Sequence, residues 1–202
     1  IQKLTGLLTQ RAGKHLRPID VADLICAIGE MVVAGNVRRS AIILLGDPWD
    51  KEYLVAKRWD LVFLPTQRAM ANWSVVASST DELHELFWQT YLFGEPFGLV
   101  NRRNIQKYGR MGEEKADTAV GTNPCAEATL ESHEACNLQE INLANLESVD
   151  EFKLAARLMH RYGRRVALES YHNVKTAEVV ARNHRIGTGI TGWLAAPDLF
   201  NP

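Results

Sequence analysis

No run of apolar residues in this 202-residue chain approaches the ~20 needed to cross a bilayer. Lys3, Arg11, Lys14 and Arg17 interrupt the N-terminal stretch too often for a secretory leader. Net charge is nearly absent: 23 basic against 24 acidic residues leave −1. Such a chain has no global field to draw it onto nucleic acid or an anionic membrane. Cysteine is scarce, three in all. That excludes a disulfide-stapled mini-protein and fits a reducing, cytoplasmic compartment, where paired thiols are chemical rather than structural. Internal repeats are missing too. What is there is an ordinary soluble composition, 46% hydrophobic and 23% charged, on a length with room for a good core or two small domains. The chain starts at Ile1 without Met and stops at Asn201-Pro202 after an apolar segment. Both ends are expected to be cut from something longer.

Helical periodicity predicts a first clear helix over 21–34, capped by Asp20 after Pro18, with Val21, Leu24, Ile25, Ile28 and Val32 on its apolar face and Gly35-Asn36 as its stop. Ser40–Leu45 reads as a buried strand closed by Gly46-Asp47-Pro48, and Trp73–Ala77 as another. Helix followed by short apolar strand is the rhythm of an α/β fold. Ser79-x-x-Glu82 predicts a capping box opening a helix that Gly94 ends; Ser148-x-x-Glu151 predicts a second. In that second helix Phe152, Ala155, Met159, Tyr162 and Val166 line one face, and Arg157, Arg161, Arg164 and Arg165 read as its solvated side. Residues 109–124 read as an extended loop. Ile186–Gly192 is Gly-rich but matches neither a dinucleotide fingerprint nor a P-loop, so it reads as close backbone packing in a strand or turn.

The informative stretch is Gly121–Leu146, GTNPCAEATLESHEACNLQEINLANL, with Cys125 and Cys136 flanking a carboxylate-rich segment. Zinc bound by Cys125, His133 and Cys136 would lack a CxxC pair and an evident fourth ligand. A hydrolytic cysteine would find no helix N-terminus opening at Cys125 to lower its pKa. The third reading is redox or radical chemistry, one sulfur starting a reaction and the other supplying reducing equivalents.

Asn123-Pro124-Cys125-Ala126-Glu127, followed eleven residues after the first Cys by Cys136-Asn137-Leu138, resembles the finger loop of ribonucleotide reductases, most narrowly the adenosylcobalamin-dependent class. Gly35-Asn36-Val37-Arg38-Arg39-Ser40-Ala41 is similar to that family's turn feeding a barrel strand, and Asn183–Gly192 to its downstream Gly-rich segment. The resemblance runs from Pro18 to Trp193. It implies a ten-stranded α/β barrel with the cysteine finger loop inserted. Cys125 would become the thiyl radical, which suits reversible hydrogen abstraction from the ribose C3′ because the S–H bond is not much weaker than the activated C–H bond. Glu127 would take the 3′-hydroxyl proton as general base. Asn123 would hydrogen-bond the substrate hydroxyls, and Cys136 would be half of the dithiol that reduces C2′. Cys125 and Glu127, two apart on an extended loop, are expected on the same side. Cys26, inside a helix, reads as a core thiol, so the partner of Cys136 is expected outside this chain. Ala71-Asn72-Trp73-Ser74 stands where relatives tend to have two adjacent Asn before the Ser, and Trp73 departs from that pattern as one altered core contact.

The expected fold class is therefore α/β, with residues 1–202 the central segment of a reductase barrel domain. The upstream effector region, the downstream phosphate-binding strand and the C-terminal cysteine pair are expected elsewhere. The expected cofactor is adenosylcobalamin; the alternative is a radical from a separate metal-containing subunit, and no metal is assigned to this chain. Expected partners are a ribonucleoside di- or triphosphate, the remaining reductase segments and a thioredoxin-like reductant. The competing expectation is a non-catalytic interaction piece that must assemble with other chains.

Overall fold

The computed structural model describes residues 1–31, 33–34, 37–38, 41–61, 63–96, 98–110, 112 and 114–196, with the backbone alone described at 33–34 and 37–38. Val32, Gly35, Asn36, Arg39 and Ser40, and with them much of the 35–41 motif, lie outside the described residues. The chain divides into two compact units, 1–129 and 130–202.

In the first unit, α1 (Gln2–Thr9) and α2 (Pro18–Glu30) precede a two-residue antiparallel ladder, β1 (Val33–Ala34) with β2 (Val37–Arg38). Then come β3 (Ile42–Gly46), α3 (Lys51–Val55), β4 (Lys57–Arg58), β5 (Ala71–Val76), α4 (Glu85–Tyr91), β6 (Gly94–Glu95), β7 (Gly98–Val100) and α5 (Arg102–Tyr108). Strands β3, β5 and β7 form a parallel sheet in that order, β3 registered with β5 from Ile42↔Ala71 to Gly46↔Val75. Alternation splits the sheet. Ala71, Trp73 and Val75 join Ile19, Cys26, Leu54 and Phe87 in the core, with Ile42 and Leu44 packed against it. Ile43, Leu45, Asn72 and Ser74 fall on the opposite side. The Trp73 ring, fully buried, stacks on Tyr53 at 4.7 Å between centroids, so the departure at Trp73 is indeed a core contact. The Tyr53 hydroxyl lies 2.9 Å from the carbonyls of Leu44 and Ser74. Gly46 is required there, because a Cβ would sit 2.3 Å from the Tyr53 ring.

Three local expectations are corrected. Helix α2 begins at Pro18, with Arg17 as N-cap; Asp20 is the third helical residue and accepts the Arg17 N–H at 2.8 Å. It ends at Glu30, and its buried residues are Ile19, Ala22, Cys26, Ala27 and Gly29, while Val21, Ile25 and Ile28 are exposed. Small residues let the helix lie close to the sheet: a Cβ on Gly29 would meet the Ile42 side chain at 2.5 Å. Ser79 opens only a 3₁₀ turn, Thr80–Glu82, in which Glu82 accepts the Ser78 N–H; α4 starts later, capped by His84 accepting from Leu86 N–H.

A hairpin, β8 (Gly121–Thr122) paired with β9 (Thr129–Leu130), lies where the first unit ends. In the second unit β10 (Leu138–Asn142) leads through α6 (Val149–Ala167) and α7 (Val174–Asn183) to β11 (Gly187–Thr191), parallel to β10 in register Leu138↔Gly187. Ser148 caps α6, accepting from Glu151 N–H as predicted. Gly163, Ala167, Val179 and Val180 are buried with Ile141 and Leu143. Tyr162, expected on the apolar face, is exposed at 62%. Arg157, Arg161 and Arg165 are exposed as expected, but Arg164 is half-buried and donates to the His184 carbonyl at 3.4 Å. The Gly-rich segment is strand β11, as close packing predicts: a Cβ on Gly187 would meet the Leu138 side chain at 2.5 Å. The fold is α/β, with two open parallel sheets and no closed barrel among the described residues. No described helix is long and apolar enough to cross a membrane.

Candidate active site around the cysteine loop

The hairpin tip is built by backbone chemistry. Asn123 N–H donates to the Ala128 carbonyl at 2.9 Å, and Ala128 N–H donates back to Asn123 Oδ1 at 3.0 Å. Ala126 N–H donates to the Asn123 carbonyl at 2.9 Å, closing a β-turn over Asn123-Pro124-Cys125-Ala126. Proline suits the second position of such a turn because its φ is already fixed there. Ala126 then adopts φ 68°, left-handed. The segment is therefore a turn and not an extended loop, and period-two alternation is not what relates Cys125 to Glu127. Both side chains are exposed, one on each flank of the left-handed residue.

Asn123 is 4% exposed, and its Oδ1 is committed to Ala128 N–H. Its visible work is to lock the hairpin. From β5, Asn72 Nδ2 donates to the Pro124 carbonyl at 2.6 Å. Sequence reasoning missed this contact. Its signal was a carboxamide inside the otherwise apolar strand ANWSVV, on the face opposite Trp73.

In the second unit the segment before Cys136 is held differently. Glu131 N–H donates to Glu134 Oε2 at 2.7 Å and Glu134 N–H to the Glu131 carbonyl at 3.1 Å. His133 between them is left-handed, φ 64°. Three residues at the C-terminal end of α7 and just beyond it grip these carboxylates. Arg182 pairs with Glu131, Asn183 Nδ2 donates to Glu131 and Glu134 at 3.1 Å each, and Arg185 pairs with Glu134 at 3.0 Å. The Arg185 and Glu134 side chains are 8% and 1% exposed. Cys136 itself is exposed. The sequence carries both the carboxylate-rich segment and Asn183-His184-Arg185, but no local signal joins residues about fifty positions apart.

Cys26 is a core thiol, as expected. It is fully buried in α2, and burial above all pushes its pKa up to about 11. A thiol held protonated away from solvent is inert as a nucleophile or redox partner. Among the described residues no cluster of three or more His, Cys, Asp or Glu is arranged to hold a metal ion.

The sequence profile of the ribonucleotide reductase barrel domain matches residues 67–196, more than half of the chain. The chain belongs to the ribonucleotide reductase family. It is 34% identical over 198 residues to a probable adenosylcobalamin-dependent ribonucleoside-triphosphate reductase of Dictyostelium discoideum, covering 94% of this chain and 26% of that protein. It is 35% identical over 201 residues to the adenosylcobalamin-dependent ribonucleoside-triphosphate reductase of Lactobacillus gasseri, covering 95% and 27%. A solved B-12 dependent (class II) ribonucleotide reductase superposes with TM-score 0.71 at 29% identity, over 94% of this chain and 26% of that one. The chain thus spans about a quarter of the length of the curated reductases it matches.

Proposed function

We propose that this segment carries the radical-bearing loop of a reductase that converts ribonucleoside triphosphates to 2′-deoxyribonucleotides. The observation that carries the reading is the hairpin tip: one short turn displays an exposed thiol, Cys125, and an exposed carboxylate, Glu127, on a sequence matching a reductase barrel. As a thiyl radical, Cys125 takes the hydrogen atom from C3′ and later returns it. Glu127 accepts the 3′-hydroxyl proton while the 2′-hydroxyl departs as water. Cys136 and a second thiol outside this chain give up two electrons and two protons and end as a disulfide, which a thioredoxin-like reductant reopens. Asn123 holds the turn and, in this reading, also faces the substrate hydroxyls.

The cofactor of the matched reductases is adenosylcobalamin, and the group here that fits it is Cys125, whose thiol is exposed at a turn tip where a cofactor-derived radical can reach it. When bound, the cofactor supplies the initiating radical. The protein's own residues orient the thiol, hold the proton acceptor beside it and keep Cys26 out of the chemistry. Residues 1–202 are read as the central segment of a ten-stranded barrel, to which β3, β5 and β7 contribute neighbouring parallel strands and residues 121–130 the finger.

A second reading is favoured by α2, whose Val21, Ile25, Ile28 and Met31 are 41%, 37%, 50% and 56% exposed. Such a stripe suits a segment that works only when joined to the remaining reductase segments. The test of function uses the full-length reductase containing this segment, with adenosylcobalamin, a dithiol and a ribonucleoside triphosphate. Cys125→Ser is expected to reduce deoxyribonucleotide formation to background, and Glu127→Gln to slow it by about 10²-fold or more. Turnover intact in both variants would sink the assignment. The isolated segment is expected to give no product under the same conditions.

A further inference from the structure

We infer that Asn72 is a positioning residue for Cys125, acting from β5 through the carbonyl of Pro124. The inference rests on the reductase reading of the cysteine loop and deepens it. Pro124 has no N–H, so its carbonyl is the only polar backbone group it offers. That carbonyl belongs to the peptide plane joining Pro124 to Cys125. The 2.6 Å bond from Asn72 Nδ2 fixes the orientation of the plane, and with it the direction in which the Cys125 side chain leaves the turn.

Asn72 is itself unusually well anchored. The Lys57 ammonium donates to the Ala71 carbonyl at 2.8 Å, while Glu95 accepts the Trp73 N–H at 2.9 Å and pairs with Lys57. The Lys57 and Glu95 side chains are 5% and 16% exposed. A largely buried ion pair therefore pins the residues on both sides of Asn72, and stacking of Trp73 on Tyr53 holds the strand from its other face. The hairpin lies on Asn72's own face of the sheet: a Cβ on Gly121 would come 3.1 Å from the Leu45 side chain on β3. A rigid strand, a short carboxamide and one peptide plane make a continuous support for the sulfur. An error of about 1 Å in a reacting group can cost ~10²-fold in rate, so such support has kinetic consequences.

The test uses the full-length reductase containing this segment. Asn72→Asp keeps the size of the side chain, removes the donor and sets a carboxylate against the Pro124 carbonyl. Asn72→Thr, a strand-favouring residue too short to make the bond, guards against misfolding of the aspartate variant. Both are expected to lower kcat by about 10²-fold with KM little changed. Both should also change the iodoacetamide alkylation rate of Cys125 by about threefold or more while that of Cys136 stays constant. Wild-type kcat and Cys125 alkylation in both variants would overturn the inference. So would equal acceleration at Cys125 and Cys136, which marks general loosening. If Cys125→Ser retains turnover, the reductase reading itself falls, whatever Asn72 does.

Discussion

The approaches to Cys125 and Cys136 are held by opposite physics. The contacts made directly to the turn around Cys125 are neutral: three hydrogen bonds among Asn123, Ala126 and Ala128, and one from Asn72 to Pro124. Before Cys136 they are ionic, with Glu131 and Glu134 gripped by Arg182, Asn183 and Arg185. Neutral bonds are directional and individually modest, so they aim a group without fixing much free energy in it. A buried ion pair is intolerant of losing one member, because the survivor is left charged in a poor dielectric. The contrast suits the proposed division of labour: the radical sulfur must point, whereas the reducing sulfur must stay put while its redox state changes.

The sharpest attempt to break this comparison is Arg185→Met. It leaves the buried Glu134 with hydrogen bonds from Asn183 and the Glu131 N–H but without its cation, and unfolding is expected to become easier by about 3 kcal/mol. Adding Glu134→Leu should recover most of that loss, as read by a double-mutant cycle in denaturant. A loss below about 1 kcal/mol would mean that the clamp is not charge-dominated. On the neutral side, Asn72→Ala is expected to cost about 1 kcal/mol in the same measurement, despite its kinetic effect. If it costs as much as the arginine change, the distinction collapses.

A smaller effect separates the third thiol from the other two. Burial raises the folded-state pKa of Cys26 from 9.0 to about 11. The folded protein then keeps a proton that the unfolded chain releases. The stability this group contributes is present below pH 9 and lost as pH rises toward about 11. Cys26→Ala should flatten that part of the alkaline stability profile, and an unchanged profile would contradict the assignment. At the acid end, pairing with Arg17 and Arg58 lowers the pKa of Asp20 and Asp60, and pairing with Lys3 that of Glu30. Their contribution is present near neutrality and is lost as pH falls through the folded-state values. The Lys3–Glu30 pair is exposed, so its share of the slope should be small and weaken further with added salt.

What was legible in the sequence follows the range of the forces involved. Strands β3 and β5 and helix α6 were readable because apolar runs and a Ser148 cap are local signals. The core role of Cys26 and the strand nature of the Gly-rich segment were readable for the same reason. The buried face of α2 was not, because Ala22, Cys26 and Gly29 pack closely by being small, while the larger Val21, Ile25 and Ile28 dominate any hydropathy pattern. The start of α4 was misplaced because Glu82 closes a tight turn on Ser78. The site was legible as a motif but not as a geometry. Nothing local announces that an alanine will turn left-handed, and the ionic clamp joins residues about fifty positions apart.

The methyl group of Ala126 makes the hairpin tip an uneven landscape for substitution. At φ 68° an L-residue with a Cβ costs about 1–2 kcal/mol relative to the right-handed form. Glycine would relieve that cost, and asparagine or aspartate would tolerate it. Valine, isoleucine or threonine, branched at Cβ, would strain the turn between Cys125 and Glu127 most. The shape of the turn between the proposed thiol and carboxylate thus depends on a residue that has no chemistry of its own.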